Sequence, residues 1–274
     1  MKIIDCFTFY NEYDLLFYRL STLYDVVDFF IIVEANRTHV GKEKPYNFAE
    51  NIDRYRKFME KIIYIQVDDL DPTPFICCDG LMRDGVWQNE NKQRNYIDMG
   101  IRCIPDIQDN DVLIISDVDE IPDYMTLLRI KVENMDVDYI TLIQDCYYYN
   151  LTVKSKMNWD SAKLVSYKYY VDVLERTPQK CRSPHHSKCM FNGGWHLSYF
   201  GDAQFIQNKL QNFTHQEYNT DRYTNLENIQ KKIQNKTDLF GRSDDFEFIP
   251  IENNKKLPPQ FRELLSNYMG VTPY

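Results

Sequence analysis

The chain has 274 residues, 43% of them apolar and 15% aromatic, and its 32 Lys and Arg against 41 Asp and Glu leave a formal charge of −9. That length and apolar content supply a sizeable core for one α/β domain and exclude bulk disorder. An acidic chain whose basic residues cluster only in pairs such as Lys231-Lys232 repels polyanions, so nucleic acid and anionic membrane are excluded as general partners and any anionic ligand must be met by local charge.

In chain order, Lys2 to Phe9 reads as a first strand, and Asn11 as the cap of a helix whose Leu15, Leu16, Leu20 and Leu23 recur at helical spacing. Phe29 to Val33 is a second strand, a helix follows over 50–60, and Ile62 to Val67 is a third strand. Residues 68–85 form a loop before an amphipathic helix over 87–99. The wholly apolar Val112 to Ile115 predicts a buried central strand. After Pro122 the spacing predicts neighbouring strands at 139–143 and 146–153, an extended pair over 163–173, and a strand over 190–200 broken at Gly193-Gly194. Helices at 202–213 and 225–234 close the domain, and the polar, Pro-containing remainder reads as an irregular wrap. Strands alternating with helices in the first half predict a Rossmann-like mixed sheet flanked by helices.

Seven scattered cysteines (Cys6, Cys77, Cys78, Cys103, Cys146, Cys181, Cys189) with no C-x-x-C pair point to a reducing compartment. No apolar run approaches the ~20 residues of a membrane span, and no signal peptide is evident, which predicts a cytoplasmic protein. The sequons at Asn36, Asn150, Asn212 and Asn235 are read as chance in an Asn-rich chain.

The segment carrying most chemistry is Val112-Leu-Ile-Ile-Ser-Asp117-Val118-Asp119-Glu120-Ile-Pro122. An apolar strand running into Asp-x-Asp places two carboxylates at the carboxyl edge of a parallel sheet, where open α/β folds bind ligands. Alternate residues of an extended strand face one way, so Asp117 and Asp119 are expected to share one Mn²⁺ or Mg²⁺, bridging the acidic chain to an anionic nucleotide sugar. The same pattern fits a solvated turn with helix-capping acids. It also occurs in haloacid-dehalogenase-like phosphatases, although those carry Thr or Val where this chain has Ile121, and their motif opens the core domain.

Six blocks in order resemble the family 17 glycosyltransferases: Phe9-Tyr-Asn-Glu-x-Asp-Leu-Leu16, Asp25-Val-Val-Asp28, Ile32-Val-Glu-Ala-Asn-Arg-Thr38, Phe48-Ala-Glu-Asn51, Asp117-Val-Asp-Glu-Ile-Pro122 and Gly194-Trp-His-x-Ser-Tyr199. The resemblance runs from about residue 3 to 242. It implies a GT-A fold, a UDP-sugar donor, a divalent metal and inversion at the anomeric carbon, with N-acetylglucosamine as the sugar and a glycan hydroxyl as acceptor; UDP-xylose or UDP-glucose is the alternative donor. On that reading 1–122 is the nucleotide-sugar half, 123–242 the acceptor half and 243–274 a tail of one domain. The absence of an anchor departs from Golgi members of the family and suggests a bacterial or viral version, or a truncated piece of a longer chain, and with it a different acceptor. A non-catalytic glycan-binding module on the same fold is the remaining alternative.

Phe9, Asn11, Glu12, Glu34, Asn36 and Arg37 would line the sheet edge beside Asp117 and Val118, a place for uracil and ribose, with Asn11 and Glu12 alternatively capping the next helix. Arg94, with Gln93 on the helix after the long loop, can hold a phosphate. Trp195 offers an aromatic platform for a sugar, and His196 a third metal ligand in competition with His215. An inverting transfer needs a base: Asp202, at the start of the helix after the Gly-Trp-His strand, then Glu217, then Asp145, are the candidates, although resembling members carry Glu where this chain has Gln204.

Overall fold

The computed structural model describes residues 1–76, 85–182, 187–242 and 246–270. Cys77, Cys78, His185 and His186 lie outside the described residues. The elements in order are β1 (Ile3–Phe9), α1 (Tyr13–Leu23), β2 (Phe29–Ala35), α2 (Asn47–Glu50), a 3-10 run Ile52–Lys61, β3 (Ile62–Val67), α3 (Gly85–Asn95), α4 (Ile97–Arg102), β4 (Val112–Asp117) and β5 (Glu120–Pro122). There follow α5 (Tyr124–Val132), β6 (Tyr139–Leu142), β7 (Asp145–Tyr148), β8 (Val153–Ser155), β9 (Lys163–Ser166), α6 (Tyr167–Asp172), a 3-10 turn Pro178–Arg182, β10 (Lys188–Met190) and β11 (Gly194–Ser198). The last are α7 (Ala203–Asn212), α8 (Asp221–Thr224), α9 (Leu226–Asn235), β12 (Phe246–Phe248) and α10 (Phe261–Leu264).

Two mixed sheets flanked by helices result. The larger has the order β10-β6-β9-β4-β1-β2-β3, parallel from β4 through β3 and antiparallel on both sides of β9. β4 is its central strand, as its unbroken apolar run predicts. Alternation divides the core between the two faces: Ile3, Phe7, Ile32 and Ile114 enter one cluster, Ile4, Cys6, Ile31, Leu113 and Ile115 the other. The smaller sheet, β12-β8-β7-β11-β5, packs against α7 and α9 through Tyr148, Tyr199, Ile206, Leu210 and Ile229.

Several expected elements differ. Trp87 to Met99 is two helices, and the 50–60 helix is a single turn of α2 followed by a 3-10 run. The expected neighbours at 139–143 and 146–153 separate into different sheets, the second dividing into β7 and β8. The extended pair over 163–173 ends at Ser166, whose hydroxyl accepts the Tyr169 N–H and so starts a helix. The 190–200 strand breaks at Gly193-Gly194, as expected. Gly194 has φ +128°, and a Cβ there would collide with the carbonyl oxygen of Ile121, so its lack of a side chain lets β11 pair with β5. Asp202 and Asn225 cap α7 and α9. Asn11 does not cap α1: Glu12 is the cap residue, and its side chain turns back to the N–H groups of Tyr10 and Asn11.

Residues of the tail pack inward. Leu265 is fully buried with Leu15, Tyr18, Ile121 and Tyr147, and Phe246 to Phe248 pairs with β8. Among the described residues no helix is long and apolar enough to cross a membrane.

Candidate functional site

The parallel strands β1, β2 and β4 end together, and the chain leaves β4 through the acidic turn Asp117-Val118-Asp119 into β5. A turn at a buried sheet edge leaves carbonyls facing inward, where an unpaired one is costly. Arg19, on the buried face of α1, resolves this. Its fully buried guanidinium donates to the carbonyls of Asp117 (2.7 Å), Val118 (3.3 Å) and Glu120 (3.0 Å), and to Ser116 Oγ (2.7 Å). Asp5 of β1, equally buried, neutralises it through two hydrogen bonds of 2.8 and 2.6 Å, and the Phe7 ring lies 4.4 Å away. The turn is fixed from beneath. Its side chains are left to the cleft above.

That cleft has a volume of about 500 Å³. Within it, Asp117 meets Arg94 of α3 at 3.1 Å through Oδ1 and Arg182 at 2.9 Å through Oδ2. Burial alone would raise its carboxyl, but Arg182 and Arg94 hold it below the usual range. Arg182 also forks onto the buried Glu120 at 2.6 and 2.9 Å, and Glu120 accepts the Trp159 indole N–H at 2.6 Å and the Asp117 N–H at 2.9 Å. Asp119 meets Lys209 of α7 at 3.0 Å and lies 3.7 Å from His196 Nε2. Against its burial, Lys209 and His196 hold its carboxyl far below the usual range. His196 stacks on Trp159 at 4.1 Å, and burial opposes its charge while Cys146 at Nδ1 and Asp119 at Nε2 raise it. Three cations from three distant segments thus gather on two aspartates. A net-negative chain has built a locally cationic cleft at this edge.

The donor set can be tested for a divalent ion. Asp119 Oδ1 and His196 Nε2 are 3.7 Å apart, wider than the roughly 3.0 Å between adjacent ligands on an octahedral ion with bonds of about 2.1 Å, so the two would have to close by several tenths of an ångström to share one ion. Among the described residues no third His, Cys, Asp or Glu joins them. A catalytic ion that takes its other ligands from phosphate and water fits such a pair, with the ion and a proton competing for the same imidazole nitrogen. Asp117 does not share this position. β4 ends at Asp117, so the alternation expected to align the two aspartates stops there, and both Asp117 oxygens face guanidinium groups.

Of the residues expected from sequence, Phe9, Glu12, Arg37, Arg94, Asp117, Val118, Asp119 and His196 line the cleft. Glu34 is a correction: it is fully buried, and its oxygens are taken by the N–H groups of Asn47 and Phe48, by Lys44 and by Tyr64, so it holds the start of α2 and has no face toward a nucleotide. Asn11 and Asn36 do not line the cleft. Trp195 points instead at the tail, donating to the Lys256 carbonyl at 2.7 Å and packing with Ile251, Leu257 and Phe261; alternation along β11 sends His196 and Trp195 to opposite faces. Asp202 accepts the Phe205 N–H as the cap of α7 and does not line the cleft. Asp145 pairs with Lys154 and Lys256. Glu217 stands behind His215, which does line the cleft, at 2.7 Å from its Nδ1.

Sequence reasoning missed Arg182, Lys209, Trp159, Trp87, His39 and Glu90, all of which line the cleft. Lys209 sits two turns into an amphipathic helix and Arg182 in a polar stretch, and neither carries a local signal. Only the pairing of β11 with β5 and the return of α7 bring them to the acidic turn.

A family model, glycosyltransferase family 17, matches residues 1–259. The chain is 31% identical over 124 residues to the β-1,4-mannosyl-glycoprotein 4-β-N-acetylglucosaminyltransferases of Rattus norvegicus and Homo sapiens, and 30% identical to that of Mus musculus. Each match covers 44% of this chain and 22% of the relative, so the chain spans about a fifth of the length of these curated relatives.

Proposed function

The chain belongs to glycosyltransferase family 17, and from that premise we propose that it transfers a sugar, N-acetylglucosamine in the first instance, from UDP to a hydroxyl of a glycan with inversion at the anomeric carbon. The phosphatase reading falls with the family assignment. The observation that carries the donor proposal is the convergence of Arg94, Arg182 and Lys209 on the acidic turn, in a cleft at the carboxyl edge of the parallel strands.

These cations provide charge-assisted hydrogen bonds for a diphosphate that the protein's overall charge would repel. Beside them Tyr10, Arg37, His39 and Lys44 line the portion of the cleft contributed by the ends of β1 and β2, suited to a uridine. The Lys44 ammonium lies 5.5 Å from the Tyr10 ring, which is held by its hydroxyl on Asn208 at 2.7 Å. Asp119 and His196 would hold Mn²⁺ or Mg²⁺, which supplies charge neutralisation of the diphosphate as it departs. Arg94 and Arg182 hold the Asp117 carboxylate ionised and in place. As UDP leaves, its growing negative charge meets guanidinium and ammonium groups already aligned, so little reorganisation is required. The GT-A fold, the use of UDP and the inverting course rest on this site and on the family.

A thermal-shift panel of UDP-sugars with and without Mn²⁺, followed by UDP-release assays, tests the reading. UDP-N-acetylglucosamine with Mn²⁺ is expected to stabilise the protein, and Asp119→Ala to lose the metal-dependent part while keeping the fold. Undiminished metal-dependent stabilisation in that variant would place the ion elsewhere.

A further inference from the structure

We propose that His215 is the base that removes the proton from the acceptor hydroxyl, with Glu217 as its positioning residue; the assignment rests on the donor reading above. The other acidic and imidazole groups lining the cleft are already engaged. Asp117 is held by two guanidinium groups and Asp119 by Lys209 and His196. Glu90 is paired with Arg94 at 2.6 Å, and Glu12 accepts two backbone N–H groups and stands 3.9 Å from Lys209. The cations beside Asp117, Asp119 and Glu90 hold these three carboxyls below the usual range against their burial, which makes them poor proton acceptors. His39 meets through Nε2 the neutral amide oxygen of Gln93, which supplies no charge to stabilise an imidazolium, and burial lowers its hold on a proton; His196 lies between Cys146 and Asp119.

His215 differs from all of these. Its Nδ1 meets Glu217 Oε1 at 2.7 Å, and among the described residues no hydrogen bond reaches its Nε2. The other Glu217 oxygen is buried with no hydrogen-bond partner among the described residues, so His215 is the group this carboxylate serves. A carboxylate on Nδ1 selects the tautomer protonated there, leaves the Nε2 lone pair free, and stabilises the imidazolium formed when Nε2 takes a proton. The ring is also held by Trp87 (4.9 Å, edge-on), Phe213 (5.5 Å) and Tyr218 (6.1 Å), aromatic faces that suit a sugar ring. In the step, the acceptor oxygen bonds to the anomeric carbon as the bond from that carbon to the UDP oxygen breaks. The electron pair leaves with UDP, and the hydroxyl proton passes to His215 Nε2.

The test measures UDP release from UDP-N-acetylglucosamine with Mn²⁺, using a mannosyl glycopeptide as acceptor and, separately, water alone. His215→Ala and His215→Gln should lower kcat about 100-fold or more, with KM for the donor little changed. Added imidazole should restore a part of the His215→Ala rate, which a structural defect would not allow. Glu217→Gln should lower kcat by a smaller factor, again with donor KM preserved. Wild-type turnover matched within about twofold by both His215 variants overturns the dyad alone. A wild-type chain that releases no UDP with either acceptor overturns the donor reading, and the dyad with it.

Discussion

Arg19 grips the acidic turn by its backbone and Lys209 grips it by a side chain, and burial separates the two interactions. Arg19 and Asp5 are both wholly buried, with every hydrogen bond inside the protein, whereas Lys209 keeps 20% of its side chain exposed at the cleft and Asp119 keeps 9%. A sealed and fully satisfied pair can only hold shape, since separating it strands a charge in the core. A pair at the cleft wall can exchange one partner for a ligand's anion at small cost. The same chemistry therefore serves as scaffold beneath the turn and as binding equipment above it, with Arg182 spanning both through buried Glu120 and half-buried Asp117.

The sharpest way to break this contrast is Arg19→Leu, which strands Asp5 and three turn carbonyls. It should cost about 3–5 kcal/mol and lower Tm by about 10 °C in a thermal melt. Asp5→Leu combined with it should recover much of the loss; if the single variant melts like the wild type, the pair is not the turn's scaffold. Arg182→Ala should come next, costing about 1.5–3 kcal/mol because buried Glu120 is stripped of its guanidinium, and weakening UDP binding as well, both read from Tm with and without the nucleotide. Lys209→Ala should cost about 1–2 kcal/mol, because Asp119 loses its ammonium but keeps His196, and should weaken UDP-sugar binding about tenfold, by calorimetry, because one charge-assisted hydrogen bond to phosphate is worth on the order of 1.5 kcal/mol. The smallest effect is expected from Trp195→Phe, about 1 kcal/mol for the hydrogen bond to Lys256 in a denaturant titration, with UDP binding untouched. A loss of UDP affinity in that last variant would restore Trp195 to the cleft.

Legibility followed the range of the interactions. The strands beginning near Ile3, at Phe29 and at Ile62, the central place of Val112 to Ile115 and the helices starting at 202 and 225 were readable because apolar period and helix-start chemistry are local. Ser166 shows the limit. The apolar stretch around it suits strand or helix equally, and a single hydroxyl bond to Tyr169 decides for the helix. At the site, an acid after an apolar run was visible in both Glu34 and Asp119, yet one caps α2 inside the protein and the other faces the cleft. Nothing adjacent in the chain distinguishes them.

Residue order alone was enough for the alternating α/β plan, the acidic turn at the end of a central strand and the family to which the chain belongs, because each depends on neighbours within a few positions or on blocks kept in sequence. The cationic counterpart to that turn came from assembly: Arg94, Arg182 and Lys209 are up to 115 residues apart (209 − 94) and meet only where α3, the Pro178–Arg182 turn and α7 close over the sheet edge. Charges pair through space, and their partners are chosen by the packing of apolar faces on which no charged residue leaves a mark.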